Sequence, residues 1–568
     1  MFTPVNRPIL RVSRSFTSLN GPFTPASGPV ASPAGGRHTV RMAHVDWSFP
    51  YPSQRMPVLG EEIVATSQPL AAQAGLNVLR AGGNAVDAAL AAAITLTVVE
   101  PTSNGIGSDA FALIWRNGVL HGLNASGRSP AAMTRKRFGD RSAIPPHGWD
   151  TVTVPGAVAS WVELSQRFGD LPFDRLFAPA IAYARRGYLV SPQTADAWQR
   201  AAETFKDFPD WQGTFCPSGR PPQTGERVIL PDHAATLEEI ATTGGESFYS
   251  GRLATAIAGA STQAGGLMTA DDLAEHRNDR VEPLDVTYRD LTLHELPPNG
   301  QGIAALIALG VLEQFPDDPA INSAQWLHRA IEAMKIGFAV AHEHVADPAA
   351  MRVEPNDLLT EDALTEHAHR IRDDRAQDFG SGPPRPGGTV YLTTADRDGT
   401  MVSFIQSNYM GFGSGVVVPG TGIALQNRGA NFSLNPDHPN VVDGGKRPYH
   451  TIIPGFVTKD GKPLMSFGVM GGFMQPQGHV QMVLRLAAGE NPQAALDAPR
   501  FRVDGGRAVC LEPGFGPEVA DTLRDLGHDV TVAALRSIAH GGGQAIMRLG
   551  EGYCAASDGR RDGQAVGR

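Results

Sequence analysis

The chain has 568 residues, of which 42% are hydrophobic and 19% charged, and its formal net charge is −10 at pH 7. This composition is that of a globular protein with a substantial core, and an acidic balance without a long Lys/Arg run argues against binding to nucleic acid or to an anionic membrane. The three cysteines are widely spaced, and His342 and His344 lack the i, i+4 spacing of a helical zinc site, so we predict no metal and no cofactor.

The first 41 residues differ in composition from the rest of the chain. They contain five arginines, many Ser, Pro and Gly residues and no acidic residue, and globular composition begins at about Met42. They also lack the apolar stretch of a secretory signal peptide. We interpret residues 1–41 as a disordered extension or as the result of a start codon assigned too early, and an organellar transit peptide stays open. Without an export signal, a cytoplasmic location is expected.

The spacing of apolar residues predicts a helix-rich first part and a strand-rich last part. A short strand at 62–66 precedes helices at 69–80 and 85–95, and the second helix follows Asn84 as its N-cap in an apolar run too short to span a bilayer. The next predicted elements are strands at 112–115 and 291–296 and helices at 161–167, 178–186 and 326–344. The last are strands at 422–426, 451–458 and 464–469 and a helix at 480–488. This order predicts one fold built from two chain segments.

A β-hairpin is predicted directly after a segment that cannot form regular structure. Residues 380–388 are almost entirely Gly, Pro and Ser, and the strands at 389–396 and 400–407 flank a tight turn. Counting outward from this turn pairs Thr389 with Ser407, and the period-2 alternation of a strand puts both side chains on one face. The Ser407 hydroxyl could therefore hold the Thr389 side chain in one rotamer.

Thr389 would become an N-terminal residue with a free α-amine if the peptide bond before it were cut. Its free α-amine, with an ordinary pKa near ~8, would then lie beside its own hydroxyl, so that one residue supplies both nucleophile and base. The alternative is a structural threonine that begins a surface hairpin, which is a common place for threonine. This segment by itself leaves both interpretations open.

The chain from about Leu59 to its end resembles the γ-glutamyltranspeptidase family, whose members are autoprocessing N-terminal-nucleophile hydrolases. The segments that carry the resemblance, weak singly and specific in this order and spacing, are 71–76, 81–89, 154–158, 178–181, 267–273, 297–302, 413–415, 446–448 and 470–472. The resemblance implies an α+β fold, namely a four-layer αββα sandwich, formed by two subunits that are cut from one precursor. It implies a large subunit of residues 42–388 and a small subunit of residues 389–568.

The resemblance also assigns the catalytic positions. Thr389 matches the threonine that heads the small subunit, Ser407 matches its hydroxyl partner, and Gly471 and Gly472 match the pair whose amides form the oxyanion hole. Glycine suits that role because a backbone without Cβ lets a substrate carbonyl come close to the amides.

The sequence departs from glutathione-cleaving members where these hold the α-amino and α-carboxylate groups of glutamate. At those positions this sequence has Tyr409, Arg428, Asn431, His450 and Thr451. Asn431 replaces the acidic anchor, so an α-ammonium group would lose its counter-charge and meet the guanidinium of Arg428 instead. Arg128 is the nearest match to the family's carboxylate-binding arginine.

These departures favour an acyl group that carries a carboxylate and no α-amine, as in family branches that act on oxamate or on glutaryl-cephalosporin amides. A true γ-glutamyltranspeptidase or glutathione hydrolase is the alternative, and an uncleaved, inactive binding protein is a second one. The expected partners are a small-molecule amide and the two subunits of the same precursor, with no nucleic acid and no membrane. The sequence leaves open a homo-oligomer and the choice between hydrolysis and transpeptidation.

Overall fold

The computed structural model of the chain describes residues 53–380, 387–535 and 537–568. The predicted extension, residues 1–41, lies outside these ranges, as does most of the Gly/Pro-rich segment before Thr389. The interpretation of the extension and the division into two subunits therefore stay predictions.

Strands and helices alternate irregularly along the described residues. The strands are β1 (Val58–Gly60), β2 (Ile63–Thr66), β3 (Asp109–Arg116), β4 (Val119–Ala125), β5 (Tyr188–Leu189), β6 (Arg227–Val228), β7 (Asp279–Val281), β8 (Leu284–Tyr288), β9 (Leu291–Glu295), β10 (Gly388–Ala395), β11 (Met401–Tyr409), β12 (Val417–Val418), β13 (Ile423–Ala424), β14 (Gly455–Lys459), β15 (Lys462–Met470), β16 (Phe501–Gly505), β17 (Ala508–Leu511), β18 (Asp529–Val532), β19 (Gly542–Arg548), β20 (Tyr553–Ser557) and β21 (Gln564–Gly567). The helices are α1 (Pro69–Arg80), α2 (Ala85–Val99), α3 (Ala157–Phe168), α4 (Ala178–Arg186), α5 (Pro192–Thr204), α6 (Pro209–Phe215), α7 (Pro231–Thr242), α8 (Glu246–Ser250), α9 (Arg252–Gln263), α10 (Ala270–Ala274), α11 (Gly302–Glu313), α12 (Ala324–His344), α13 (Glu361–Arg370), α14 (Met474–Ala487), α15 (Pro492–Asp497) and α16 (Pro517–Asp525).

Two antiparallel seven-stranded sheets form the centre of the fold. Sheet I has the order β1-β20-β19-β15-β14-β9-β8, and sheet II has the order β21-β2-β10-β11-β3-β4-β7. Each sheet combines strands from before and after Thr389, and β10 and β11 lie between β2 and β3 in sheet II. The prediction of one fold built from two chain segments is therefore confirmed.

The two sheets pack face to face, and helices cover their outer faces. Apolar side chains that are completely buried fill the space between the sheets, among them Phe111, Tyr391, Ile405, Phe456 and Ile546. Helices α1 to α4 pack with sheet II, and α11, α12 and α14 pack with sheet I. Each such side chain contributes about 1.5–3 kcal/mol through burial. The predicted four-layer αββα sandwich is confirmed.

Helix α2 forms as its sequence predicts. Every residue from Ala85 to Val99 is buried, which suits a run with no polar face. At its start, the Asn84 side chain accepts from the amides of Val86 and Asp87, while the Asp87 carboxylate accepts from the Asn84 amide. This capping box satisfies amides that a helix start leaves without partners.

Two predicted strands are much shorter in the structure, and both lie near the site. The strand predicted at 451–458 begins only at Gly455, and the one predicted at 422–426 is reduced to Ile423–Ala424. The residues before Gly455 leave the ladder because Thr451 uses its carbonyl and hydroxyl oxygens in contacts with side chains. Across the described residues, none of the helices combines the length and apolar character needed to cross a membrane.

Candidate active site

The hairpin of β10 and β11 brings Thr389 opposite Ser407, as the sequence predicts. The ladder keeps one register from the turn as far as Val390, which pairs with Gln406, and the next positions outward are Thr389 and Ser407. The register shifts by one residue between Val390 and Gly388, with the extra residue in β11. Thr389 therefore lies at this shift, one residue inside the start of β10.

The Ser407 hydroxyl links the threonine to the carbonyl before it. Ser407 Oγ lies 3.1 Å from Thr389 Oγ1, donates to the Gly388 carbonyl oxygen at 2.8 Å and accepts from the Tyr409 amide at 2.8 Å. A hydroxyl has one proton to donate. Ser407 Oγ also accepts from Arg428 Nη2, and either hydroxyl can donate in its contact with Thr389 Oγ1. Ser407 thus contacts both Thr389 and the carbonyl before it, as its predicted orienting role requires.

Gly471 and Gly472 lie between β15 and α14, close to the chain that precedes Thr389. Their φ angles are +132° and +62°, a region that L side chains avoid. A Cβ built on Gly387 would lie 2.9 Å from Gly472 Cα, so the segment before the predicted cut contacts this pair directly. Neither glycine amide donates a hydrogen bond to any described residue. The oxyanion hole predicted for this pair requires N–H donors without another acceptor, and among the described residues the two amides meet that condition.

Gln301 bonds to the glycine pair, and no sequence pattern indicated a role for it. Its Nε2 donates to the Gly472 carbonyl at 2.9 Å and to the Thr451 carbonyl at 2.6 Å, and its Oε1 accepts from the Tyr449 hydroxyl. The side chain is completely buried. A buried glutamine beside a glycine in the segment 297–302 was the available signal, but only the fold brings it to Gly472.

Arg428 is a completely buried cation beside Ser407. It lies in a 3-10 turn (Arg428–Asn431), where its Nη2 donates to Ser407 Oγ at 3.1 Å and its Nη1 donates to Thr451 Oγ1 at 2.6 Å. Its guanidinium carbon lies 4.6 Å from the centre of the Tyr409 ring. Burial lowers its pKa to about 10, with Asp109 opposing the shift, so it stays charged at neutral pH. Its Nε has no hydrogen-bond partner among the described residues.

Asp109 and His450 form a buried pair next to this arginine. Asp109 Oδ2 lies 3.1 Å from His450 Nε2, and Asp109 Oδ1 accepts from the Gly156 amide. Burial raises the pKa of Asp109 to about 7 and lowers that of His450 well below its usual range. The histidine is therefore neutral, and Asp109 only partly compensates the charge of Arg428. No pattern in the sequence indicated a role for Asp109.

The remaining predicted residues divide into two groups. Asn431 ends the turn that contains Arg428, and its buried Nδ2 has no hydrogen-bond acceptor among the described residues. Arg128 makes different contacts. Its Nη1 donates to Asp347 at 2.6 Å and to the Gly445 carbonyl, and its side chain is 45% exposed. The structure brings Tyr409, Arg428, His450 and Thr451 together with the hairpin, whereas substrate binding by Arg128 stays a prediction.

A cavity of about 570 Å³ opens beside the predicted cut and includes Gly387, Gly388 and Gly471 in its wall. This volume fits a small-molecule substrate. Another cavity of about 310 Å³, lined in part by Glu512 and Arg560, includes none of the predicted site residues. We therefore assign substrate access to the larger cavity.

One group of side chains among the described residues has the proximity of a metal site, and it lies outside the candidate active site. It consists of His328, Glu332 and His528, all buried. The Lys335 ammonium donates to Glu332 at 2.7 Å and lies 3.3 Å from Nδ1 of His528. That ammonium already supplies the positive charge between these groups, so the donor set does not suit a metal cation.

A family model, two related sequences and one solved structure each match most of this chain. The family model for gamma-glutamyltranspeptidase matches residues 71–568. The oxamate amidohydrolase proenzyme of Klebsiella pneumoniae is 38% identical over 88% of this chain and 97% of its own length. The glutathione hydrolase-like YwrD proenzyme of Bacillus subtilis is 35% identical over 89% of this chain and 98% of its own length. The crystal structure of a cephalosporin acylase from Bacillus halodurans superposes with a TM-score of 0.89 and 48% identity, covering 93% of this chain and 99% of that one.

Proposed function

This chain belongs to the γ-glutamyltranspeptidase family, and on that premise we propose that it is a self-cleaving amidohydrolase with Thr389 as its N-terminal nucleophile. We further propose that its substrate is an amide whose acyl group carries a carboxylate and no α-ammonium group. The observation that carries the substrate proposal is the buried, charged Arg428, whose Nη2 lies 3.1 Å from Ser407 Oγ.

Self-cleavage follows from the contacts of the uncut bond. The Thr389 hydroxyl oxygen attacks the Gly388 carbonyl carbon while Ser407 donates to the carbonyl oxygen. The C–N bond breaks, the hydroxyl proton passes to the nitrogen, and an ester joins Gly388 to the Thr389 oxygen. Water then hydrolyses the ester, which gives a Gly388 carboxylate and a Thr389 residue with a free amine and a free hydroxyl. Two chains of one precursor result.

Turnover reuses the same atoms with a substrate amide in place of the peptide bond. The neutral amine of Thr389 takes the hydroxyl proton, and the oxygen attacks the substrate carbonyl. The amides of Gly471 and Gly472 stabilise the negative charge that develops on the carbonyl oxygen. The proton passes to the leaving amine, an acyl-threonine ester remains, and attack by water or by a second amine releases the acyl group.

The proposed acyl specificity rests on buried N–H donors at a site that lacks the acidic side chain needed to bind an ammonium group. Arg428 has N–H groups beyond those bonded to Ser407 and Thr451, and Asn431 Nδ2 is a buried donor with no acceptor among the described residues. Such donors require an acceptor on the ligand, which a carboxylate supplies and an ammonium group does not. Asp109 does not replace the lost anchor, because His450 and the Gly156 amide already bind its two oxygens.

The name of one relative agrees with the proposed substrate class, and the name of another supports an alternative. Oxamate consists of an amide bonded to a carboxylate, and it has no α-amine. The relative described as glutathione hydrolase-like supports γ-glutamyl hydrolysis as the second candidate. An uncleaved binding protein is the third, and the cytoplasmic location expected from the sequence remains a prediction.

A matched pair of chromogenic amides tests the substrate proposal. We expect kcat/KM for a glutaryl anilide to exceed that for the γ-glutamyl anilide by about 10- to 100-fold, because the α-ammonium lacks a charge-assisted partner. Asn431→Asp restores an acidic anchor and should shift the ratio towards the γ-glutamyl compound. A wild-type preference for the γ-glutamyl anilide would contradict the substrate assignment and leave the Thr389 mechanism intact.

The dependence of rate on pH tests the charges in the site. Turnover requires a neutral Thr389 amine, so kcat/KM should rise through an apparent pKa at or below ~8. Because the pKa of Asp109 is about 7, its ionisation at higher pH offsets the charge of Arg428, and kcat/KM for a glutaryl anilide should then fall. Asp109→Asn should abolish the falling limb and keep the rising one. A falling limb that persists in this variant would exclude Asp109 as its source.

A further inference from the structure

The cavity beside the predicted cut does not include the residues proposed to bind the acyl group. Its wall includes Gly387, Gly388 and Gly471, and neither Arg428 nor Thr451 lines it. A substrate carbonyl held by the glycine pair would have its acyl end at Arg428. The leaving amine of the same substrate would then lie in this cavity.

The cavity wall carries an excess of positive charge. Arg200, Arg502 and Arg561 line it together with the single carboxylate of Asp504. Arg502 binds both oxygens of Asp504, which cancels that pair. His147 also lines the cavity, and burial lowers its pKa, so it adds no charge at neutral pH. Arg200 and Arg561 are the other two cations of the wall, and Arg200 pairs with Asp196, which does not line the cavity.

Arg561 is the better placed of these two cations. Its side chain has no hydrogen bond and no ion pair within 4.0 Å among the described residues, and its buried Nε has no partner there. Glu100, Asp558 and Asp562 interact with it at longer range. Each of these carboxylates already has a closer partner: Glu100 accepts from Ser67, Asp558 pairs with two other arginines, and Asp562 accepts from the first turn of α5. The Arg561 guanidinium is thus available to a ligand.

Apolar side chains form the rest of the wall. Phe205, Phe473 and Met474 line the cavity and are themselves buried. Buried apolar walls with one convergent charge are typical of sites for small organic ligands. Arg200 lies at the exposed edge, where it also donates to Asp196.

We propose that this cavity is the leaving-group subsite and that Arg561, assisted by Arg200, binds a carboxylate on an amine with an apolar body. The inference rests on the proposed function, because it takes the amine half of the substrate amide to lie here. It adds a second carboxylate requirement, on the opposite side of the scissile bond from Arg428.

Two anilides with one acyl group and different leaving groups test the subsite. The uncharged leaving group is 4-nitroaniline, and the charged one is 3-carboxy-4-nitroaniline. We expect the wild-type enzyme to favour the carboxylated anilide, and Arg561→Gln to lower the ratio of kcat/KM, carboxylated over uncharged, by about 10- to 100-fold. Arg561→Lys should restore part of the ratio. Arg397→Gln, at the turn of the β10–β11 hairpin, should keep the wild-type ratio.

If Arg561→Gln lowers kcat/KM equally for both anilides, or changes it for neither, the ratio stays at its wild-type value and the proposal is overturned. Should Arg561→Gln fail to fold, a lower ratio in Arg200→Gln supports the subsite and a wild-type ratio overturns it. Calorimetric binding of free 3-carboxy-4-nitroaniline to the self-cleaved enzyme gives a readout independent of the acyl group. Weaker binding by Arg561→Gln would support the subsite even if glutaryl amides prove not to be substrates.

Discussion

Thr389→Ala is expected to leave a single uncut chain without amidase activity. The variant lacks the hydroxyl that attacks the Gly388 carbonyl, and no free amine is generated to serve as base. Removal of a nucleophile costs roughly 10⁴- to 10⁶-fold in kcat. A denaturing gel and mass spectrometry of the purified protein measure the cut, and N-terminal sequencing of the smaller wild-type fragment should begin at Thr389. A fragment that begins at any other residue would refute the assignment of the nucleophile.

Three variants on the same hairpin make the test specific. Thr389→Ser keeps a hydroxyl and should still be cut. Ser407→Ala removes the hydroxyl that binds the scissile carbonyl and should slow both cutting and turnover by about 10²-fold. Thr393→Ala is the structural control, because Thr393 lies on the same face of β10 and bonds Ser466 instead. Its loss should lower stability and leave the cut intact, whereas loss of the cut in all four variants would indicate a folding defect.

Arg428→Gln should have a large effect that is confined to acyl groups that carry a carboxylate. A lost charge-assisted contact costs about 1.5–3 kcal/mol, so kcat/KM for a glutaryl anilide should fall by about 10- to 100-fold. An anilide of the same length with an uncharged acyl end should change much less. Parallel kinetics on the two anilides measure the difference.

Arg128→Gln is the matched control, because Arg128 is the other candidate for the carboxylate. Its guanidinium is already paired with Asp347, so its loss should affect both anilides alike. A selective loss in Arg128→Gln, and not in Arg428→Gln, would move the acyl anchor to Arg128.

The sequence by itself determined the hairpin and its register. Periodic alternation and a short turn fix which residues of β10 and β11 face each other, because each step along a strand moves both chains by the same length. Thr389 and Ser407 could therefore be paired by counting. Helices such as α1 and α2 were also predictable, since their caps and apolar periodicity are local properties of the chain.

Tertiary structure alone decided the surroundings of that pair. Asp109, Gln301 and Arg561 lie far apart in the chain, and no periodicity relates them to Thr389. They reach the site because the sheets interleave strands from both chain segments, and because residues 451–454 leave the ladder that their sequence favours. Partial charges, hydrogen bonds and burial act through space, so the charge on Arg428 and the raised pKa of Asp109 depend on neighbours that only the packed sandwich supplies.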